Sequence, residues 1–441
     1  MARQLFGTDG VRGVAGEFLT ADLAVALARA AVTQTGEDRA QVLIVRDTRE
    51  SGEMLEAAIA AGVTAAGGDA LLGGVLPTPA APMLLRRHGF QLAAVISASH
   101  NPYRDNGIKI FGSDGFKLSD DTEHEIEAEL ERPARSPDRI GRVRRLHGAL
   151  EDYLRELHTR FEGLEIRSRR LLLDCANGAT YRAAPEIFRR LGAEVDVLAA
   201  EPDGRNINHD CGSTHVEALA RRAADGDYDV AFAFDGDGDR LLAADRNGVI
   251  VDGDELVALA ALHMRDEGRL AGGGVAVTVM TNYGFHQAMK DAGIEVATTA
   301  VGDRYVLDEL RRRGWSLGGE QSGHIIELGF GPSGDGIASA LLVLESLGDT
   351  DLADRHAMSK LPQRLVNIRA ADRAALTQAM DQEAVREAID REGGALSGRG
   401  RVLVRASGTE PLIRVMVEAP SESETEAVCA RLREVVETAI A

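Results

Sequence analysis

A chain of 441 residues is long enough for two to four domains at roughly 100–200 residues each, and its 44% hydrophobic and 27% charged residues are ordinary globular usage, neither disordered nor fibrous. Seventy acidic against 50 basic residues give a net charge of −20, which excludes a general binder of nucleic acid or of anionic membrane. Cys175, Cys211 and Cys429 lie far apart with no C-x-x-C pair, which excludes a disulfide framework and a cysteine zinc site. No apolar run reaches the roughly 20 residues that cross a bilayer, and Met1–Gly7 lacks a signal peptide's apolar core, so a reducing cytoplasm is the expected setting. Only four of the 50 basic residues are lysine: Lys109, Lys117, Lys290 and Lys360.

In chain order, Gln41–Asp47 predicts a buried strand and Glu53–Ala66 a small-residue helix. Leu92–Ser97 predicts a second strand that stops abruptly in a polar loop. Strand Arg170–Cys175, helix Tyr181–Leu191, strand Glu194–Ala199, helix Val216–Ala224 and strand Asp229–Phe234 follow. Helix Asp254–Asp266, strand Val275–Thr281, helix Phe285–Ala292, strand Glu295–Ala300 and helix Arg304–Arg313 continue the alternation. Repeated strand–helix–strand units predict mainly parallel sheets covered on both faces. The tail departs from this. Arg401–Arg405 and Leu412–Glu418 alternate like half-exposed strands, and helix Ser423–Ile440 closes a smaller α+β domain.

Four loops carry chemistry. Ser97-Ala98-Ser99-His100-Asn101-Pro102 places hydroxyls and a histidine directly after a strand, where proline stops a helix; this suits an exposed nucleophile, although an isolated S-x-S-H also reads as a plain polar turn. In Asp235-Gly236-Asp237-Gly238-Asp239-Arg240, three carboxylates at i, i+2 and i+4 can converge on one cation with room for a phosphate oxygen, which suits Mg²⁺. An EF-hand needs glycine and glutamate where Arg240 and Arg246 stand. Gly318–His324 offers Glu320, Ser322 and His324 to sugar hydroxyls, or is a glycine-rich turn. Arg405–Arg414 combines two arginines, two hydroxyls and a glycine turn, which suits a phosphate nest, although structural salt bridges also explain the arginines. As a set the four loops match phosphoryl transfer on a sugar phosphate. In so acidic a chain, Arg12, Lys109, Arg240, Arg405 and Arg414 would have to make the site locally positive.

With these motifs in this order, the chain resembles the α-D-phosphohexomutase superfamily over nearly its whole length. Phe6–Gly13 (FGTDGVRG) is similar to the family's N-terminal motif, whose arginine, here Arg12, lies near the reacting phosphate. Ile96–Pro102 resembles the phosphoserine loop and puts the nucleophile at Ser99 instead of Ser97. DGDGDR resembles the metal loop, GEQSGH the sugar loop and RASGTEPLIR the terminal phosphate loop. GEQSGH, VGDRY at 301–305 and NINHDCGSTH at 206–215 point to the glucosamine branch over the mannose and glucose mutases.

The resemblance implies an α/β protein with four domains around a central cleft. Three are similar α/β domains with mixed, mainly parallel sheets, at 1–152, 153–252 and 253–364; a smaller α+β domain occupies 365–441. It implies an isomerase with phosphate on Ser99 and one Mg²⁺ per chain held by Ser99, Asp235, Asp237 and Asp239. Glu320 and Ser322 would hold the sugar, while Arg405, Ser407, Gly408, Thr409 and Arg414 hold the phosphate not being transferred. Arg240 stands beside the metal loop. A hexosamine 1,6-bisphosphate would be both intermediate and activator, and the net reaction would interconvert glucosamine 6-phosphate and glucosamine 1-phosphate on the route to UDP-N-acetylglucosamine. The expected partner is a small sugar phosphate, with no nucleic acid and no membrane, and a homodimer is allowed. His100, Lys109 and His324 are all candidates for proton transfer, and the alternative reading is a phosphomannomutase/phosphoglucomutase.

Overall fold

Residues 5–7, 9–132, 137–406 and 411–440 are described by the structure, a computed structural model of the chain. Its strands fall into four sheets. The first holds β1 (Val11–Val14), β2 (Gln41–Arg46), β3 (Asp69–Val75), β4 (Leu92–Ile96), β5 (Asp105–Gly112) and β6 (Val143–Arg145), in the order β1-β5-β4-β2-β3-β6. Strands β4, β2, β3 and β6 run parallel, while β5 is antiparallel to both β4 and β1. Every residue of β4 is buried, as expected for a central strand covered on both faces. Helices Ala21–Gln34 and Gly52–Ala65 supply one cover; Thr20 caps the former by accepting a hydrogen bond from the Leu23 amide.

The second sheet, β7 (Arg170–Asp174), β8 (Glu194–Leu198), β9 (Val230–Phe234), β10 (Leu241–Asp245) and β11 (Ile250–Val251), has the order β11-β10-β9-β7-β8, with β9, β7 and β8 parallel. The third is β12 (Gly274–Thr278), β13 (Glu295–Thr299), β14 (Leu317–Gly319) and β15 (Ile325–Glu327), in the order β13-β12-β14-β15, with β12 and β14 parallel. The fourth, β16 (Gln363–Arg369), β17 (Arg401–Ala406) and β18 (Leu412–Glu418), is wholly antiparallel in the order β16-β18-β17. Ile413, Val415 and Val417 alternate along β18 into its core, against Val428, Leu432 and Val436 of helix Glu422–Ile440. The fold is thus three α/β domains with mixed, mainly parallel sheets and a smaller C-terminal domain.

Two departures from the sequence reading have physical causes. The strand expected over Val275–Thr281 stops at Thr278, because the Asn282 side chain accepts from the Gly284 amide and starts helix Tyr283–Asp291. Strand β5 was concealed by Asn106-Gly107, a turn-forming pair; here the pair lies extended opposite Gly13 and Arg12 of β1.

The chain forms two compact units, residues 1–279 with 297–355 and residues 280–296 with 356–441. Helix Tyr283–Asp291 belongs to the second. The Tyr283 amide donates to Glu418 (2.9 Å), Asn282 Nδ2 to the Leu361 carbonyl (3.0 Å) and Arg401 to the Thr281 carbonyl (2.6 Å). Within the first unit, three chemistry-bearing loops leave the C-terminal ends of parallel strands: β4 leads to Ser99, β9 to Asp235 and β14 to Glu320. Strand ends of this kind are where α/β sheets place ligands. Among the described residues no helix is long and apolar enough to cross a membrane.

Candidate active site

Strand β4 ends at Ile96, and the next turns bury Ser99 in the left-handed region at φ 52°, uncommon for a residue with a side chain. Its hydroxyl donates to Asp235 Oδ2, and His100 Nδ1 lies 3.3 Å from the same Oγ. Burial, reinforced by the Arg240 and Arg12 cations, pushes the His100 pKa down to about 4. Ser97, the other hydroxyl of the motif, is consumed internally: its Oγ donates to Asp47 (2.5 Å) and accepts from the Ser99 amide (3.0 Å).

Asp235, Asp237 and Asp239 follow β9 at alternate positions and are buried, with one ligand oxygen from each lying within 4.8 Å of the others. Burial, with Asp239 and Asp237 adding to it, pushes the Asp235 carboxyl well above its ordinary range. Asp237 Oδ2 accepts from Lys109 Nζ (2.9 Å) and Thr78 Oγ1 (2.7 Å). Asp237 Oδ1 and Asp239 Oδ1 are buried without a hydrogen-bond partner, the latter with only longer ion-pair contacts to His324 Nδ1 (3.6 Å) and Arg240 Nε (3.9 Å). Orphaned carboxylate oxygens cost free energy unless something meets them. Two of them beside a third carboxylate suit a small, hard cation with oxygen ligands. The residues present fit a divalent metal.

Around the carboxylates runs a ring of alternating charge. Lys109 reaches Asp237, Asp9 (3.1 Å) and Asp239 (3.6 Å); Lys117 contacts Asp9 and Asp303 (2.6 Å); Arg12 also pairs with Asp9. His324 completes the ring, with Nδ1 3.6 Å from Asp239 and Nε2 3.8 Å from Asp303. Burial opposes the Lys109 charge, but Asp237, Asp9 and Asp239 outweigh it and drive its pKa up. Burial likewise opposes a charged His324, while Asp239 and Asp303 raise its pKa to about 9. The Gly334 amide donates to His324 Nε2 (3.1 Å), a bond that a proton on that nitrogen would break. Of the three proton-transfer candidates, His100 alone is pushed toward the neutral form.

The loop Gly318–His324 joins this centre through the backbone. The Leu241 amide donates to the Gly323 carbonyl (2.9 Å), and the Arg240 amide to Asp235 Oδ1 (3.1 Å). Glu320 is buried with Oε1 fixed by the Gly302 amide (3.0 Å), whereas Ser322 on the same loop is exposed. In the second unit Arg405 of β17 and Arg414 of β18 are register partners, directly opposite one another. Ser407, Gly408 and Thr409 lie outside the described residues.

Ser99, His100, Lys109, Arg12, Arg240, His324, Glu320 and the three aspartates therefore meet in the first unit. Asp9, Lys117, Asp303 and Thr78 also stand there and were not anticipated. Asp9 and Asp303 lie inside FGTDGVRG and VGDRY, and Lys117 is a rare lysine in an arginine-rich chain; these were the available signals.

Comparison with known proteins agrees with this geometry. Four phosphoglucomutase/phosphomannomutase signatures match in series: alpha/beta/alpha domain I at residues 3–136, domain II at 151–248, domain III at 252–365 and the C-terminal domain at 365–435. A structure of a phosphoglucomutase/phosphomannomutase family protein from Burkholderia thailandensis superposes with a TM-score of 0.83 at 23% identity, over 98% of this chain and 97% of that one. N-acetylphosphoglucosamine mutase from Aspergillus fumigatus, solved with GlcNAc-6P and magnesium, gives a TM-score of 0.71 at 19% identity, over 99% and 96%. The phosphoglucosamine mutase of Moorella thermoacetica is 48% identical over 98% of this chain and 99% of its own length. That of Mycolicibacterium smegmatis is 47% identical over 99% of both. The chain belongs to the phosphoglucomutase/phosphomannomutase family, and within it to the phosphoglucosamine mutases.

Proposed function

We propose that this chain is an isomerase that interconverts glucosamine 6-phosphate and glucosamine 1-phosphate through a phosphoserine at Ser99 and a glucosamine 1,6-bisphosphate intermediate. The observation that carries the reading is the Ser99 hydroxyl donating to Asp235 at the edge of a buried aspartate triad in which two oxygens lack a hydrogen-bond partner. Asp235, Asp237 and Asp239, with an oxygen of the phosphoserine, would hold Mg²⁺, which when bound neutralises charge on the phosphoryl group. The four segments 1–152, 153–252, 253–364 and 365–441 are the domains of this reading.

Phosphoryl transfer asks a protein chiefly for positioning and charge. Lys109, hydrogen-bonded to Asp237, and Arg240, 3.9 Å from Asp239, hold cations beside the reacting centre, and the fixed lysine limits the reorganisation that accompanies transfer. Glu320, anchored by Gly302, presents a fixed carboxylate to the sugar hydroxyls, and Ser322 adds an exposed hydroxyl. Arg405 and Arg414 grip the phosphate not being transferred, helped by Ser407, Gly408 and Thr409. Facing arginines repel, and a phosphate between them relieves that repulsion.

The test is kcat/KM for glucosamine 1-phosphate, glucose 1-phosphate and mannose 1-phosphate on enzyme primed with a hexose 1,6-bisphosphate. A site that hydrogen-bonds the C2 amine leaves polar groups unpaired when glucose binds, a discrimination of up to about 10⁴-fold. If either neutral sugar matches glucosamine, the phosphomannomutase/phosphoglucomutase reading replaces this one.

A further inference from the structure

The backbone of Ser99 is held at both of its polar groups by buried side chains. Its carbonyl accepts from Arg49 Nη2 (2.9 Å) and from Asn208 Nδ2 (2.9 Å). The same two side chains continue along the loop: Arg49 Nη2 donates to the Asn101 carbonyl (2.8 Å), Asn208 Nδ2 donates to it at 3.2 Å, and Arg49 Nη1 donates to the carbonyls of Pro102 and Asp105. The Ser99 amide is held through Ser97, whose hydroxyl is fixed by Asp47; Asp47 in turn accepts from Arg49 Nε (2.8 Å) and from its amide (3.0 Å). Arg49 is 1% exposed and Asp47 1% exposed, so this guanidinium is an interior fixture with nearly all of its donors aimed at one loop. Gly236 of the metal loop closes the fourth side, where a Cβ would lie 2.6 Å from the Ser99 carbonyl and 2.7 Å from Asn208 Nδ2.

We infer that Arg49 and Asn208 are positioning residues for the nucleophile. They clamp the Ser99 carbonyl from two different domains and hold the residue at its positive φ, so that Oγ stays on the Asp235 side of the loop. Left-handed backbone at a residue with a side chain persists only where its surroundings over-determine it, and the six carbonyl bonds with the Asp47–Ser97 link supply that constraint. Asn208 sits at φ 57°, a conformation asparagine tolerates well, so the donor is delivered by a loop whose own backbone suits it. The inference rests on Ser99 being the nucleophile.

The test uses Arg49→Lys, which keeps a cation for Asp47 but cannot span four carbonyls, and Asn208→Gly, which keeps the backbone conformation and removes the donor. The expected result is kcat lowered about 10²-fold in Arg49→Lys and about tenfold in Asn208→Gly, with KM for the sugar phosphate within about twofold of wild type. Phosphorylation of Ser99 by a hexose 1,6-bisphosphate, followed by intact-protein mass spectrometry, should slow by matching factors. If Arg49→Lys does not fold, Asn208→Gly alone decides. A lowered Tm with wild-type kcat per folded molecule would overturn the clamp and leave both residues merely structural. Wild-type enzyme that carries no phosphate at Ser99 would overturn the nucleophile assignment instead, and is recognised before any variant is compared.

Discussion

Around Ser99 almost every charge meets an opposite one: Lys109 faces Asp9 and Asp237, Lys117 bridges Asp9 and Asp303, and Arg49 is bound to Asp47. On β17 and β18 the arrangement is reversed. Arg405 stands opposite Arg414, and among the described residues no carboxylate pairs with either. The terminal sheet does possess an ion pair, half-buried Arg401 with buried Glu418, at the end of the same two strands, so the lack of a described carboxylate partner at Arg405 and Arg414 is not a general property of that sheet. The first region holds its geometry through its own ion pairs, and the second presents two cations side by side with no described carboxylate between them. On the function proposed above, preorganisation would serve the reacting atoms, while the arginine pair would serve a phosphate that binds, leaves and binds again by its other end.

The largest effect that could break this contrast is at the nucleophile. Ser99→Ala should lower turnover at least about 10³-fold, with loss of phosphate from the protein by mass spectrometry. Full activity with phosphate on Ser97 would remove the first region's claim to chemistry. Next, Asp237→Asn, or thorough chelation of the wild type, should lower kcat about 10²–10³-fold, with Mg²⁺ restoring only the chelated wild type. Activity indifferent to chelation would leave the two orphaned aspartate oxygens unexplained.

At the second region, Arg414→Met should weaken kcat/KM in both reaction directions by about 1.5–3 kcal/mol, since either phosphate must sit there in turn. Impairment in one direction alone would mean separate phosphate sites. The smallest effect sharpens the contrast most. Without ligand, the same Arg414→Met should stabilise the protein by about 0.2–1 kcal/mol, read as a raised Tm, because it removes a like-charged cross-strand pair. No comparable variant at Lys109 should do so, since removing it strands the buried carboxylate of Asp237 and takes one cation from half-buried Asp9. A lowered Tm in Arg414→Met would show that the arginines are structural.

Ser99 and Ser97 show how far the chain could be read. Both hydroxyls follow the same apolar strand two residues apart, and local pattern did not separate them; the family resemblance chose Ser99. In the structure the two differ: the Ser97 hydroxyl is occupied by Asp47 and the Ser99 amide, while that of Ser99 faces Asp235, an arrangement that supports the proposed nucleophile. The aspartate triad was legible because its three carboxylates share one loop, and a spacing of two residues survives in any fold.

What the sequence alone determined were features with local causes: the apolar runs that become central strands, the polar loops at their ends, and the DGDGDR spacing. Tertiary structure decided which distant groups meet. Asp9, Lys117 and Asp303 form one ion-pair chain, and Arg49, Asn208 and Gly236 converge on one carbonyl, though neither set shares a sequence period. A charge or amide deep in the chain shows its partner only when burial strips away water and makes an unmet polar group costly. That cost is paid or relieved in three dimensions, where single-chain patterning carries no signal.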